Sequence, residues 1–302
     1  MTVDADLQPI VDAVNAAAAE APPIADQSVA DRRAGYKALS AFGGDGPTID
    51  DVSDSTIAGV PVRTYRSAGA KGIFVYVHGG GYVIGDRDTH DPVCRQLCLE
   101  SGSTVISIDY RLAPEHPFPA GIDDAWAVLQ AIAADRASYG TAADDGIVVG
   151  GDSAGGNFAA VLALHARDAG IDLAAQLLIY PAVDGEDASP SMTENATGYI
   201  LTAETMGWFA TQYAADHTDW RASPLRAESH AGVAPALVIT AQYDPLRDQG
   251  AAYVEKLRAD GIEVTHTNYE GMVHAFFQFG PIVAKGAAAV TEVAIAAKAA
   301  LR

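Results

Sequence analysis

Residues 146–157 read Gly-Ile-Val-Val-Gly-Gly-Asp-Ser-Ala-Gly-Gly-Asn. Ile147 to Gly150 form a short apolar, β-branched run, and a small-residue, helix-compatible segment from Ala154 follows it. Between them lies Gly151-Asp152-Ser153-Ala154-Gly155, a GxSxG. A serine on a sharp strand-to-helix turn is held in a strained conformation with its hydroxyl above the sheet edge, and the flanking glycines make room for the crossing backbones. The pentapeptide alone is a weak signal, and its placement between a strand and a helix makes Ser153 a candidate nucleophile.

Working outward, the chain alternates. Strand-like segments at 60–66, 72–77, 103–108, 175–180, 236–241 and 262–268 are separated by helical patterns at 91–101, 119–134, 154–168, 248–259 and 281–300. Such alternation predicts an α/β fold, a mostly parallel sheet with helices on both faces. The run Gly-Ile-Phe-Val-Tyr-Val at 72–77 is apolar on both faces, as a central covered strand must be. Two amphipathic helices precede the first strand, one carrying Leu7, Ile10, Val11 and Val14 after Asp6, a candidate N-cap, and one ending at Gly43-Gly44. The alternation breaks at about 184, where a turn-rich insertion leads to a short helix near 203–215.

In such sheets, ligand sites collect at the carboxyl ends of the strands. Strand 72–77 ends in His78-Gly79-Gly80-Gly81, a loop able to present bare backbone N–H groups to a developing oxyanion. A phosphate loop is the competing reading, but glycines at 79, 81 and 85 miss GxGxxG and no GK[ST] follows. An acid and a base should follow the serine in the order Ser, acid, His. Asp244 follows strand 236–241 and His274 follows strand 262–268. Asp248 is the rival acid, read here as the N-cap of the next helix.

Composition narrows the function. The 302 residues carry 39 Asp and Glu against 19 Lys and Arg, a formal charge of −20. That excess repels phosphate backbones and anionic surfaces, which argues against nucleic-acid binding. The N-terminus is acidic where a signal peptide is basic, and no stretch of 18 uncharged apolar residues occurs, so a cytoplasmic protein with no membrane span is expected. Cys94 and Cys98 read as buried thiols, with no His or Cys set around them to hold zinc. Asn195-Ala196-Thr197 fits the glycosylation sequon and is read as a chance match.

The motifs together resemble the bacterial hormone-sensitive-lipase family of α/β-hydrolase esterases. The matching pieces are HGGGYVIGD at 78–86, DYRLAPEHPFPA at 109–120, GDSAGGN at 151–157, YP at 180–181, DPLRD at 244–248 and GMVHAF at 271–276. They stand in the family order, with His-Ala-Phe where the family usually has His-Gly-Phe. The resemblance implies hydrolysis of short- to medium-chain acyl esters through an acyl-enzyme, with Ser153 as nucleophile, His274 as base and Asp244 as its orienting acid. It implies an oxyanion hole from the N–H groups of Gly79, Gly80 and Ala154, with His78, Gly81 and Asp152 supporting the loops. No metal or organic cofactor is expected, and the partner is a small-molecule ester; a homodimer is compatible with this reading. Residues 1–45 correspond to N-terminal cap helices and 46–302 to the hydrolase core, with a cap insertion at about 185–220. The same triad could serve an amidase or formamidase. A non-catalytic receptor on this fold is the competitor from another class, and the intact His274 argues against it.

Overall fold

The computed structural model describes residues 2–139, 142 and 146–302. Eight strands form one sheet: β1 (Asp51–Ile57), β2 (Val60–Arg66), β3 (Ile73–Val77), β4 (Thr104–Ile108), β5 (Ile147–Asp152), β6 (Ala175–Ile179), β7 (Ala236–Tyr243) and β8 (Val264–Val273). Their spatial order is β1-β2-β4-β3-β5-β6-β7-β8, with β1 and β2 antiparallel and all pairs from β4 to β8 parallel. This is the expected architecture.

The side chains of β3 show why it lies in the middle. Ile73, Val75 and Val77 join the core on one face, while Phe74 and Tyr76 join the core on the other, and none is exposed. The first core is closed by α4 (Ala120–Ala134), α5 (Ala154–Ala169) and α8 (Arg247–Ala259). The second is closed by α3 (Asp91–Ser101) and α9 (Ala284–Ala300), with Cys94 and Cys98 buried in it as free thiols. No helix among the described residues is long and apolar enough to cross a membrane.

The sequence reading lacked β1, which is an edge strand of mostly exposed polar residues. With little apolar side to bury, it shows no hydrophobic alternation. It is held by a hairpin turn at Ala58-Gly59, both with positive φ, which matches the twist of the strands.

Of the two N-terminal helices, α1 (Gln8–Glu20) roots Leu7, Ile10 and Val11 in the second core. Asp6 is not its cap: Leu7 holds that position without a side-chain bond. Helix α2 (Val29–Ser40) starts on a reciprocal capping box, in which Ser28 Oγ accepts from Asp31 N and an Asp31 carboxylate oxygen accepts from Ser28 N. The Arg33 guanidinium ties α2 to the hydrolase core, donating to the carbonyls of Val83 and Ala113 and pairing with both Glu115 oxygens. After β6 come α6 (Pro190–Glu194) and α7 (Ala203–Tyr213), in the region expected as an insertion.

Candidate active site

Strand register brings the loops of the site together. Val77 at the end of β3 is level with Gly151 of β5, so His78 and Ser153 emerge side by side. Tyr243 of β7 pairs with Val273 of β8, so the residues that follow them, Asp244 and His274, are neighbours. Gly151 and Gly155 are required by this crossing: a Cβ on either would lie 2.2 or 1.9 Å from the Val77 carbonyl oxygen. Ser153 sits between them at φ 55°, ψ −117°, a conformation costly for any residue with a Cβ and sustained by the crowded turn.

Ser153 Oγ lies 2.9 Å from His274 Nε2, and His274 Nδ1 lies 2.7 Å from Asp244 Oδ2. Asp244 is fully buried and its second oxygen accepts the Leu246 N–H at 2.8 Å, so the carboxylate is fixed from both sides. With Asp244 accepting at Nδ1, the neutral imidazole presents a bare Nε2 to the serine hydroxyl. The ring of Tyr180 flanks His274 at 4.6 Å between centroids. Ala275, standing where the resembled family has glycine, takes φ 70° and carries the strain of a left-handed alanine.

Asp248 is not the N-cap expected of it. Helix α8 begins at Arg247, and the Asp248 carboxylate accepts the Ser191 N–H at 2.9 Å and pairs with Arg247. It does not touch His274 among the described contacts.

The glycine loop also departs from expectation at one position. The Gly79 N–H donates to Asp152 Oδ1 at 3.0 Å, so it is turned inward and does not face the cavity. Gly80, Gly81 and Ala154 line the cavity beside Ser153, and Gly79 does not. A Cβ on Gly81 would lie 2.3 Å from the Phe209 ring, so only glycine lets this loop pass beneath α7.

Behind the loop lies a buried polar cluster that motif reading could not assemble. Asp152 Oδ1 accepts the Tyr76 hydroxyl at 2.7 Å, and His90 Nε2 stands 3.3 Å from the same oxygen. Burial opposes the charge on Asp152, but His90, Tyr76 and the Gly79 N–H outweigh it and hold the carboxyl down at about 2. His78 stacks on Tyr110 at 4.3 Å, and its Nδ1 donates to the Gly79 carbonyl at 2.8 Å. Burial, with His90 beside it, lowers His78 to about 4, so it is neutral at pH 7 and pins the loop.

The sign of that shift gives a stability prediction. Between its ordinary value of 6.5 and about 4, the unfolded chain binds a proton on His78 that the folded chain refuses, so stability falls as pH falls. From pH 7 to pH 5 this one group should cost about 2 kcal/mol. Urea unfolding at both pH values should show a smaller acid loss in His78→Gln than in the wild type. Equal losses would mean that His78 takes up its proton without unfolding.

Ser153 and His274 lie on the wall of a cavity of about 870 Å³, with Asp244 buried behind them. Its lining is mainly apolar, with Ala17 from α1 and Ala21 just past its end, Leu39 from α2, Met192 from α6 and Phe209 from α7. No group of three or more His, Cys, Asp or Glu side chains among the described residues is arranged to hold a metal ion.

Residues 74–278 match the family defined by the α/β-hydrolase fold. The chain belongs to the α/β-hydrolase family. Within that family its likeness is to the esterases, as the motif resemblance to the hormone-sensitive-lipase group implies. It is 42% identical over 271 residues to LipN, a carboxylic ester hydrolase of Mycobacterium tuberculosis, covering 84% of this chain and 72% of the relative. It is 40% identical over 248 residues to an ethyl acetate hydrolase of Pseudomonas putida, covering 78% and 77%. Among solved structures, an ester hydrolase from the metagenome of Lake Arreo, complexed with a bipyridine phosphonate derivative, superimposes with a TM-score of 0.93. That ester hydrolase is 41% identical, and the match covers 99% of both chains.

Proposed function

We propose that this α/β-hydrolase is a serine carboxylesterase that cleaves short- to medium-chain acyl esters through an acyl-enzyme. The observation that carries this reading is the unbroken chain from Ser153 Oγ through His274 to buried Asp244, with Ser153 and His274 on the wall of a largely apolar cavity. Ser153 attacks the ester carbonyl as His274 Nε2 takes its proton, and Asp244 steadies the resulting imidazolium. The N–H groups of Gly80, Gly81 and Ala154 receive the oxyanion, each worth about 2.7–4 kcal/mol in a site of this type. Collapse expels the alcohol with the proton from His274. Water activated by the same imidazole then frees the acid. The names of the relatives support an ester as substrate.

The test is a panel of p-nitrophenyl esters of increasing acyl length with a matched anilide. Turnover of esters up to medium length, with little on the anilide, is expected. A preference for the anilide would make the protein an amidase, and no turnover of either would leave only a binding role.

The helices α1 and α2 and the segment from about 185 to 220 form the lid over this cavity in the proposed reading. Removing residues 1–42 altogether would also strip Leu7, Ile10 and Val11 from the core, so a point change is the cleaner probe. Ala17→Phe fills the cavity end of α1 and should lower kcat/KM for an eight-carbon ester about 10-fold or more relative to acetate, the scale of discrimination one or two methylenes give. An unchanged acyl-length profile would place the acyl chain elsewhere.

A further inference from the structure

We propose that α6 and Asn195, which caps its C-terminus, form a clamp that positions the catalytic acid, with Asn195 and Ser191 as the positioning residues. This rests on the reading of Asp244 as the acid of the triad. Asn195, which the sequence offers as a glycosylation sequon, is only 3% exposed, and its side-chain amide donates to the main-chain carbonyl of Asp244 at 3.1 Å. Ser191 is fully buried. Its Oγ donates to the carbonyl of Pro245 at 2.7 Å and accepts the Asp248 N–H at 3.2 Å, while its own N–H donates to the Asp248 carboxylate at 2.9 Å. Glu194 adds an ion pair to Arg247 at 2.9 Å.

These bonds converge on five residues, 244–248, which form the turn that carries the acid. Within the turn, Leu246 N–H donates to Asp244 Oδ1 and Arg247 N–H to the Asp244 carbonyl. Among the described side-chain hydrogen bonds that reach these five residues from outside 242–249, all come from 191–195 except that of His274. Two consecutive carbonyls, those of Asp244 and Pro245, are therefore held by α6, and they fix the plane from which the Asp244 side chain leaves the backbone. A shift of that plane by about 1 Å moves the carboxylate off His274 Nδ1, a displacement of the size that can cost about 100-fold in rate. Met192, next to Ser191 in α6, lines the cavity. The wall of the cavity and the anchor of the acid are thus one element, inserted after β6.

The experiment compares wild type, Asn195→Ala, Ser191→Ala and Ser191→Thr on a p-nitrophenyl ester, with active sites titrated by a small serine-directed phosphonate. The other readout is the downfield proton resonance of the His274–Asp244 hydrogen bond. Asn195→Ala and Ser191→Ala should each lower kcat per titrated site about 10- to 100-fold with KM within about twofold, and weaken or shift that resonance. Ser191→Thr, which keeps the hydroxyl, should restore kcat to within a few-fold. Variants that lose only urea stability, with kcat per site and the resonance unchanged, would make α6 mere packing and overturn the proposal. If Asn195→Ala does not fold, the Ser191 pair decides by the same two readouts. Absence of ester turnover in the wild type, or its persistence in Ser153→Ala, would instead strike the triad reading itself.

Discussion

Ser153→Ala lowers kcat on a p-nitrophenyl ester by a factor on the order of 10⁶, the loss seen when a triad nucleophile is removed, and leaves urea stability within about 1 kcal/mol of wild type. The first half follows from geometry: Ser153 Oγ is the hydroxyl placed 2.9 Å from His274 Nε2 in the cavity wall. The second follows from what the substitution spares. Alanine keeps the Cβ and therefore the strained φ of 55° at the turn, and the backbone bond from Ser153 N to the Ile179 carbonyl survives. His274 loses one partner but keeps Asp244. The measurement is turnover and urea unfolding on one preparation. Residual turnover of a few per cent in a folded protein would mean that another group attacks the ester.

Asp244→Asn should lower kcat about 10⁴-fold, whereas Asp248→Asn should stay within about 10-fold of wild type. An asparagine at 244 can turn its amide toward His274 Nδ1, which then must accept, so that the proton moves to Nε2 and the imidazole can no longer take one from Ser153. At 248 the carboxylate accepts from a backbone N–H, which an amide oxygen also does, and the loss is confined to a partly exposed ion pair with Arg247. Steady-state kinetics on the two variants separates them. Reversed severity would transfer the role of acid to Asp248.

The meeting of Ser153, Asp244 and His274 was legible because each comes after an expected strand, and a parallel sheet delivers its strand ends to one edge; β7 and β8 run on to Tyr243 and Val273, beyond the expected ends at 241 and 268. The two-sided apolar run at 73–77 likewise announces a central strand without help from the fold. Gly79 was misread for a different reason. Three consecutive glycines look alike in sequence, and which N–H turns inward depends on Asp152, 73 residues away, and on Tyr76 beneath it. Asp248 was misread because an acid at a helix start is usually a cap; here the helix begins one residue earlier and Ser191 claims the carboxylate. The edge strand β1 buries too little apolar surface to leave a pattern at all.

Helix α1 behaves mechanically as a cantilever. Its root is built in: Asp4 N donates to the Gly271 carbonyl, the Asp4 carboxylate pairs with Lys285, and Leu7, Ile10 and Val11 are sunk in the core. Its far end, Ala17 to Ala21, overhangs the cavity with small side chains. Midway along, Asn15 Nδ2 ties the helix to the Gly198 carbonyl at 3.0 Å, so a group bound in the cavity would press on the short overhang past that tie, while the root is bonded to Gly271, three residues before His274. The neighbouring α2 is stayed to the core by Arg33. Exchanges at the tip of α1 should therefore resize the cavity at a distance from the reacting atoms, which an acyl-length profile of Ala17 variants would check.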